Sequence, residues 1–166
     1  MSEPCIRLPL NLPEFRVLEQ QVQVKPSLIT VWVESRQPGA RCPRCNCQSR
    51  QDLGDDHWRT AQDLSAMEHQ VVLKIRQRRL WCRHCQRRFY ESFDSVDVQQ
   101  RQTKRLQAHL VSWARGSSLQ AAAQHSPVTY RILHYLYVKW VRTPTAERPL
   151  PRRIGSDEFA LRKGHY

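Results

Sequence analysis

Two tight cysteine pairs, Cys42-Pro43-Arg44-Cys45 and Cys82-Arg83-His84-Cys85, constrain this chain more than any other feature. A C-x-x-C turn lets two thiolates of one loop reach a single ion. Two such turns complete the closed tetrahedral set that structural zinc takes. Residues 46–81, which separate the pairs, leave room for strands to pair above the metal. Cys42, Cys45, Cys82 and Cys85 therefore read as ligands of a structural zinc ion. Buried reduced cysteines or a disulfide pair are the competing reading, and the lack of a signal-peptide pattern argues against disulfides. Cys47, two residues past Cys45, is either a free thiol or a substitute for Cys45. His84 is expected to point away from the metal, and His57 and His69 have no partner at ligand spacing.

Charge narrows the partner class. The 166 residues carry 27 Lys+Arg against 15 Asp+Glu, a formal net charge of +12. Such an excess attracts a polyanion, above all nucleic acid, with an affinity that falls steeply with salt. Arginine dominates, and its planar fork suits phosphate and guanine edges. No run approaches the ~20 apolar residues that a membrane-spanning helix needs. The expectation is a soluble, cytoplasmic protein without a membrane partner.

The chain divides by pattern into an α+β arrangement. In residues 1–40, Val22 and Val24 alternate, as do Ile29, Val31 and Val33, with Pro26-Ser27 as the turn. That predicts a β-hairpin whose apolar side packs near the metal module. Residues 41–93 form a small β-rich zinc ribbon. Within it Val71, Leu73 and Ile75 mark a half-buried strand running into the second knuckle, and Phe89 and Phe93 supply apolar cover. Arg76, Arg78 and Arg79, then Arg87 and Arg88, crowd the second knuckle. They are candidate phosphate contacts, with a solvated face as the alternative.

Residues 100–141 turn helical. Thr103 can cap a helix carrying Leu106, Leu110, Trp113 and Ala114 on one face, ended by Gly116. A fresh cap at Ser117-Ser118 precedes Ala121-Ala122-Ala123, and Ser126-Pro127 is expected to open a third helix. Val128, Ile132, Leu133, Leu136 and Trp140 share an arc of that helix, opposite Tyr130, Arg131, His134 and Val138. Two short helices around a tight turn suggest a DNA-binding helix-turn-helix, in which Thr129, Tyr130, Arg131 and His134 meet bases or phosphates. The alternative is an ordinary three-helix packing unit. Residues 142–153 hold three prolines and read as a linker.

Residues 154–166, Ile-Gly-Ser-Asp-Glu-Phe-Ala-Leu-Arg-Lys-Gly-His-Tyr, resemble the opening catalytic strand of bacterial insertion-sequence transposases of the ISL-three family. That strand carries a Gly-x-Asp-Glu/Asp-x-Ala-x-Arg-Lys-Gly pattern. Upstream features agree in order: Cys42-Pro43-x-Cys45, Arg59-Thr60-x-x-Asp63-Leu64, Arg87-Arg88-Phe89-x-Glu91 and Thr103-x-x-Leu106. The resemblance implies a zinc ribbon, a helix-turn-helix and then a ribonuclease-H-like domain that cuts and joins DNA with three carboxylates and magnesium. Asp157 matches the first of those carboxylates. The second and third have no counterpart before Tyr166, so 154–166 reads as a truncated first strand and the chain alone is not expected to catalyse strand transfer. The implied role is the DNA-binding portion of a transposase, nucleoid-associated, recognising the terminal repeats of its element on double-stranded DNA. Its implied partners are further copies or full-length transposase. The alternative is a zinc-ribbon interaction or regulatory module with only non-specific nucleic-acid binding.

Overall fold

The alternating apolar residues at 29, 31 and 33 and at 71, 73 and 75 place one face of each strand in a shared core. In the computed structural model, which describes residues 8–142, they lie on β2 (Leu28–Ser35) and β7 (His69–Gln77). All six are buried, with relative exposure no higher than 2%. β1 (Phe15–Gln23) pairs antiparallel with β2, and β6 (His57–Ala66) pairs antiparallel with β7. β2 and β7 then pair with each other in parallel, from Leu28↔Gln70 to Glu34↔Arg76. The result is a four-stranded sheet in the order β1-β2-β7-β6. Leu10, Leu12, Phe15, Phe93 and Val96 close its buried face.

The hairpin expected in residues 1–40 is present as β1 and β2. It does not stand apart from the segment that follows, because β2 shares a sheet with β6 and β7 across the boundary at residue 40. Its apolar face packs, as expected, on the segment 41–93, meeting the β6–β7 hairpin and Phe93; Phe93 belongs to this core and not to the cluster around the sulfurs. Val22, on β1, and Val24, in the turn that follows it, are exposed, and Phe15 is the one buried residue of β1.

The ribbon is a second, smaller unit. It comprises β3 (Ala40–Arg41), β4 (Gln48–Ser49), β5 (Gln51–Asp52), β8 (Arg79–Cys82) and β9 (Arg87–Tyr90). β3 pairs with β4, and β8 lies between β5 and β9. β2 leads into the first knuckle and β7 into the second. Because the two strands run parallel and in register, they deliver both knuckles to the same end of the sheet.

Three helices follow: α1 (Lys104–Gly116), α2 (Leu119–Gln124) and α3 (Tyr130–Arg142). Thr103 and Ser118 cap the first two, accepting from the backbone N–H groups of Leu106 and Ala121. Leu106, Leu110, Val111, Ala114, Ala122, Val128, Leu133 and Leu136 form their common core. α3 begins at Tyr130, later than Ser126-Pro127 suggests. The Ser126 hydroxyl instead donates to the carbonyls of Ala123 (3.3 Å) and Val128 (3.1 Å), closing the end of α2. Trp113 and Trp140 stand partly in solvent.

The helical unit is docked onto β6 by polar contacts. Asp63, 1% exposed, accepts from Thr103 Oγ1 (2.7 Å) and from Arg105 Nε (2.7 Å) and Nη2. Arg59 donates to the carbonyls of Asp97 and Gln100, and the Gln62 and Thr103 backbones bond at 2.9 Å. The described architecture is α+β. Residues 154–166, with Asp157, and the linker from 143 onward lie outside the described residues.

Candidate metal centre and nucleic-acid interface

Each knuckle is a turn closed by a left-handed residue just after its second cysteine, Asn46 (φ 59°) and Gln86 (φ 52°). In the first, Asn46 N–H donates to Cys42 O and Cys42 N–H to Cys47 O, both at 2.9 Å. The turns aim backbone N–H groups at the leading sulfur of each pair. Those of Cys45 and Arg44 hold the Cys42 thiol down to about 6. The Cys85 N–H, with help from that of His84, lowers Cys82 in the same way. The trailing sulfurs respond oppositely. Cys45 receives the Cys47 N–H, yet burial and the neighbouring thiols push it up to about 12. Burial raises Cys85.

The four sulfurs converge. The Sγ atoms of Cys42, Cys45, Cys82 and Cys85 all lie within 4.8 Å of one another. Cys42–Cys85 is 3.6 Å and Cys45–Cys82 is 3.5 Å. A disulfide would bring a pair to ~2.05 Å, whereas a tetrahedron of ~2.3 Å zinc–sulfur bonds has edges of about 3.8 Å. The spacing fits the metal and excludes the disulfide reading. Leu80 and Phe89 pack beside the sulfurs and keep Cys42 and Cys82 buried.

Residues 38–85 match the family model for the zinc-finger of transposase IS204/IS1001/IS1096/IS1165. The match runs from Pro38 to the last ligand, Cys85, and takes in the β6–β7 hairpin between the knuckles. No curated protein and no solved structure matches the chain. The cysteine cluster is thus a structural zinc site, in a segment similar to that transposase zinc-finger. Four sulfur ligands would leave the ion no open position.

Cys47 is half-buried beside the ribbon's apolar cluster, and its sulfur lies within 4.8 Å of both Cys45 Sγ and a ring nitrogen of the exposed His84. His57 meets the Tyr90 ring at 5.8 Å between centroids, and His69 Nδ1 lies 2.7 Å from Met67 O.

Gly39 carries a structural constraint that the residue pattern did not reveal. A Cβ there would sit 2.1 Å from the Ser49 carbonyl oxygen, because the β3–β4 pairing draws the two backbones together. Gly39→Ala must push β4 away from the first knuckle, at ~1–3 kcal/mol. Zinc affinity in a chelator competition titration is expected to fall about tenfold or more. Unchanged affinity would show that the strand pair adjusts freely.

The arginines split into two groups. Arg76 bonds Asp56 Oδ2 (2.6 Å) and reaches Glu34 (3.5 Å). Arg78 grips the buried Glu91 through Nε (3.2 Å) and Nη2 (2.7 Å) and donates to Gln37 O (2.8 Å). Glu91 thereby holds the Arg78 guanidinium more firmly charged. Arg79 pairs with Asp55 (2.6 Å) and lies 5.8 Å from the centre of the Tyr90 ring. These side chains, picked out for phosphate, each meet a carboxylate of the fold, Arg76 while itself about half exposed. The acids that neutralise them lie far along the chain, where adjacency in sequence offers no clue.

Arg87 and Arg88 are exposed, and so are Arg41, Arg44, Arg50 and Arg83. None of these six pairs with an acid among the described residues. Segments 38–51 and 79–90 contain no Asp or Glu, a signal that was legible in the sequence. On the helical unit, Thr129, Tyr130, Arg131 and His134 are exposed together on and just before the first turns of α3. The Tyr130 and His134 rings stack at 6.0 Å between centroids. No acidic residue occurs between Asp97 and Glu147. Among the described residues no helix is long and apolar enough to cross a membrane.

Proposed function

We propose that this chain is the DNA-binding portion of an insertion-sequence transposase, recognising the terminal repeats of its element. The observation that carries this reading is the transposase-type zinc ribbon, joined to a helical unit whose surface lacks acids. Helices α2 and α3, packed on α1 around one core, serve as a helix-turn-helix. The N-terminal end of α3 enters the major groove, where Arg131 and His134 reach base edges and Thr129 and Tyr130 reach phosphates. The helix macrodipole adds partial positive charge at that same end. The ribbon contributes grip on the backbone.

The test is a fluorescence-anisotropy titration of the chain against a duplex carrying an element end and against a scrambled duplex, across a salt series. A preference on the order of a thousandfold for the end sequence at physiological salt is expected. Arg131→Ala should remove ~1–3 kcal/mol of that preference. Equal, salt-labile binding to both duplexes would reject terminal-repeat recognition and leave only charge-driven association.

A further inference from the structure

We propose that the groove between strands β4–β5 and the second zinc knuckle is a docking track for a phosphodiester backbone of duplex DNA. This inference rests on the DNA-binding reading and assigns its backbone contact to a surface other than the paired arginines of β7 and β8. The groove has a volume of about 710 Å³, and Gln48, Arg50, Gln51, Arg83 and His84 supply its polar lining.

Three features suit it to an extended polyanion. First, the charge is uncompensated: Arg50 and Arg83 are exposed, without an acidic partner among the described residues, on segments that contain no Asp or Glu. Arg76, Arg78 and Arg79, though close in sequence to the same knuckle, are neutralised by Asp56, Glu91 and Asp55. Second, Arg83 is pre-oriented. Arg83 Nε donates to Gln51 Oε1 at 3.1 Å, which uses one N–H and leaves the terminal nitrogens of the fork for phosphate oxygens. Arg50 lines the same groove, and the amides of Gln48 and Gln51 add neutral donors. Third, the walls are held at a fixed separation. β5 pairs with β8 through Gln51↔Trp81, and the Ser49 hydroxyl donates to the Trp81 carbonyl. The β5–β8 pairing therefore holds the walls that carry Arg50 and Arg83. Cys82, one of the four cysteines that would hold zinc, also lines the groove.

The experiment measures binding of a non-specific duplex as a function of salt for the zinc-loaded chain and for Arg50→Gln/Arg83→Gln. Both side chains are exposed, and a zinc content equal to that of the parent verifies the fold. Each lost phosphate contact removes ~0.9 from the slope of log K against log salt. The double variant is expected to lose close to ~2 slope units and on the order of tenfold to a hundredfold in affinity at low salt. Arg76→Gln, which removes a paired cation, should leave the slope nearly unchanged. Preference for an element end over a scrambled duplex should persist in Arg50→Gln/Arg83→Gln, because backbone contacts position without reading sequence. If the parent chain binds duplex and the double variant keeps its slope, the groove is not the track. If the parent chain binds no duplex, the DNA-binding reading itself fails, and this inference with it.

Discussion

Removing zinc is expected to unfold the ribbon and leave the four-stranded sheet and the helices standing. The ribbon buries two large apolar side chains, Leu80 and Phe89, besides its cysteines. At ~1.5–3 kcal/mol each, those side chains contribute well under the ~10–16 kcal/mol that structural zinc supplies to small sites. The metal therefore stabilises residues 38–52 and 79–90 more than their own apolar packing does. The sheet has its own core of Phe15, Ile29, Val31, Val33, Leu73, Ile75 and Phe93, separate from the cluster around the sulfurs. Hydrogen exchange after chelation should show lost protection in β3, β4, β8 and β9 and retained protection in β2 and β7. Simultaneous loss in β2 and β7 would mean that the metal organises the sheet as well. Acid should act in the same direction as a chelator. The trailing thiols Cys45 and Cys85 hold their protons firmly and must release them to bind zinc. As pH falls through about 6, Cys42 also gains a proton. Zinc affinity should therefore decline on the acid side of neutrality and never rise there.

Asp63→Ala is expected to loosen the helical unit from the sheet at a cost of about 2–4 kcal/mol. The carboxylate is buried and satisfies both Thr103 and Arg105, so its loss strands a partly desolvated guanidinium and a buried hydroxyl. Breaking a fully buried pair costs ~3–5 kcal/mol. Arg105 keeps about a third of its exposure, which lowers the figure. Thr103 still caps α1 through Leu106 N–H, so the helix itself should survive. Urea denaturation of Asp63→Ala, Arg105→Ala and the double variant tests the coupling. The double variant should be destabilised by much less than the sum of the singles. Additive costs would mean that the two side chains act independently and that the docking lies elsewhere, for instance in the Arg59 contacts to the 97–100 loop.

Short-range patterns were legible where the physics is short-range. The alternation at 29–33 and 71–75 marks buried faces because side chains point to opposite sides at every step of a strand. Thr103 and Ser118 announce helix starts because a cap acts within three residues. Arg59, Asp63 and Thr103 fall in two separate stretches that the family resemblance gives only in order. In the fold those residues form one docking site between β6 and the start of α1.

The arginine run could not be resolved in this way. Arg76, Arg78, Arg79, Arg87 and Arg88 look alike in sequence, yet the first three meet acids and the last two meet none among the described residues. An acid's reach depends on strand register, and β7 sets Arg76 opposite Glu34 of β2. Phe89 and Phe93 diverge for a similar reason: β9 carries Phe89 into the ribbon, and Phe93 lies beyond the strand's end, against Phe15 at 4.9 Å between ring centroids.

By itself, the sequence determined the metal: two C-x-x-C turns, each shaped within a few residues, specify four sulfurs and the ion that prefers them. It also determined the excess of positive charge and the acid-free segments that carry it. Only the tertiary structure decided that the turns meet, because β2 and β7 pair in parallel and bring both to one end of the sheet. It likewise decided which arginines meet an acid of the fold and which, among the described residues, meet none. The physical reason is one of range. Turn geometry and ligand chemistry act over a few bonds, whereas the pairing of β2 with β7 joins strands that the first knuckle and strands β3 to β6 separate along the chain.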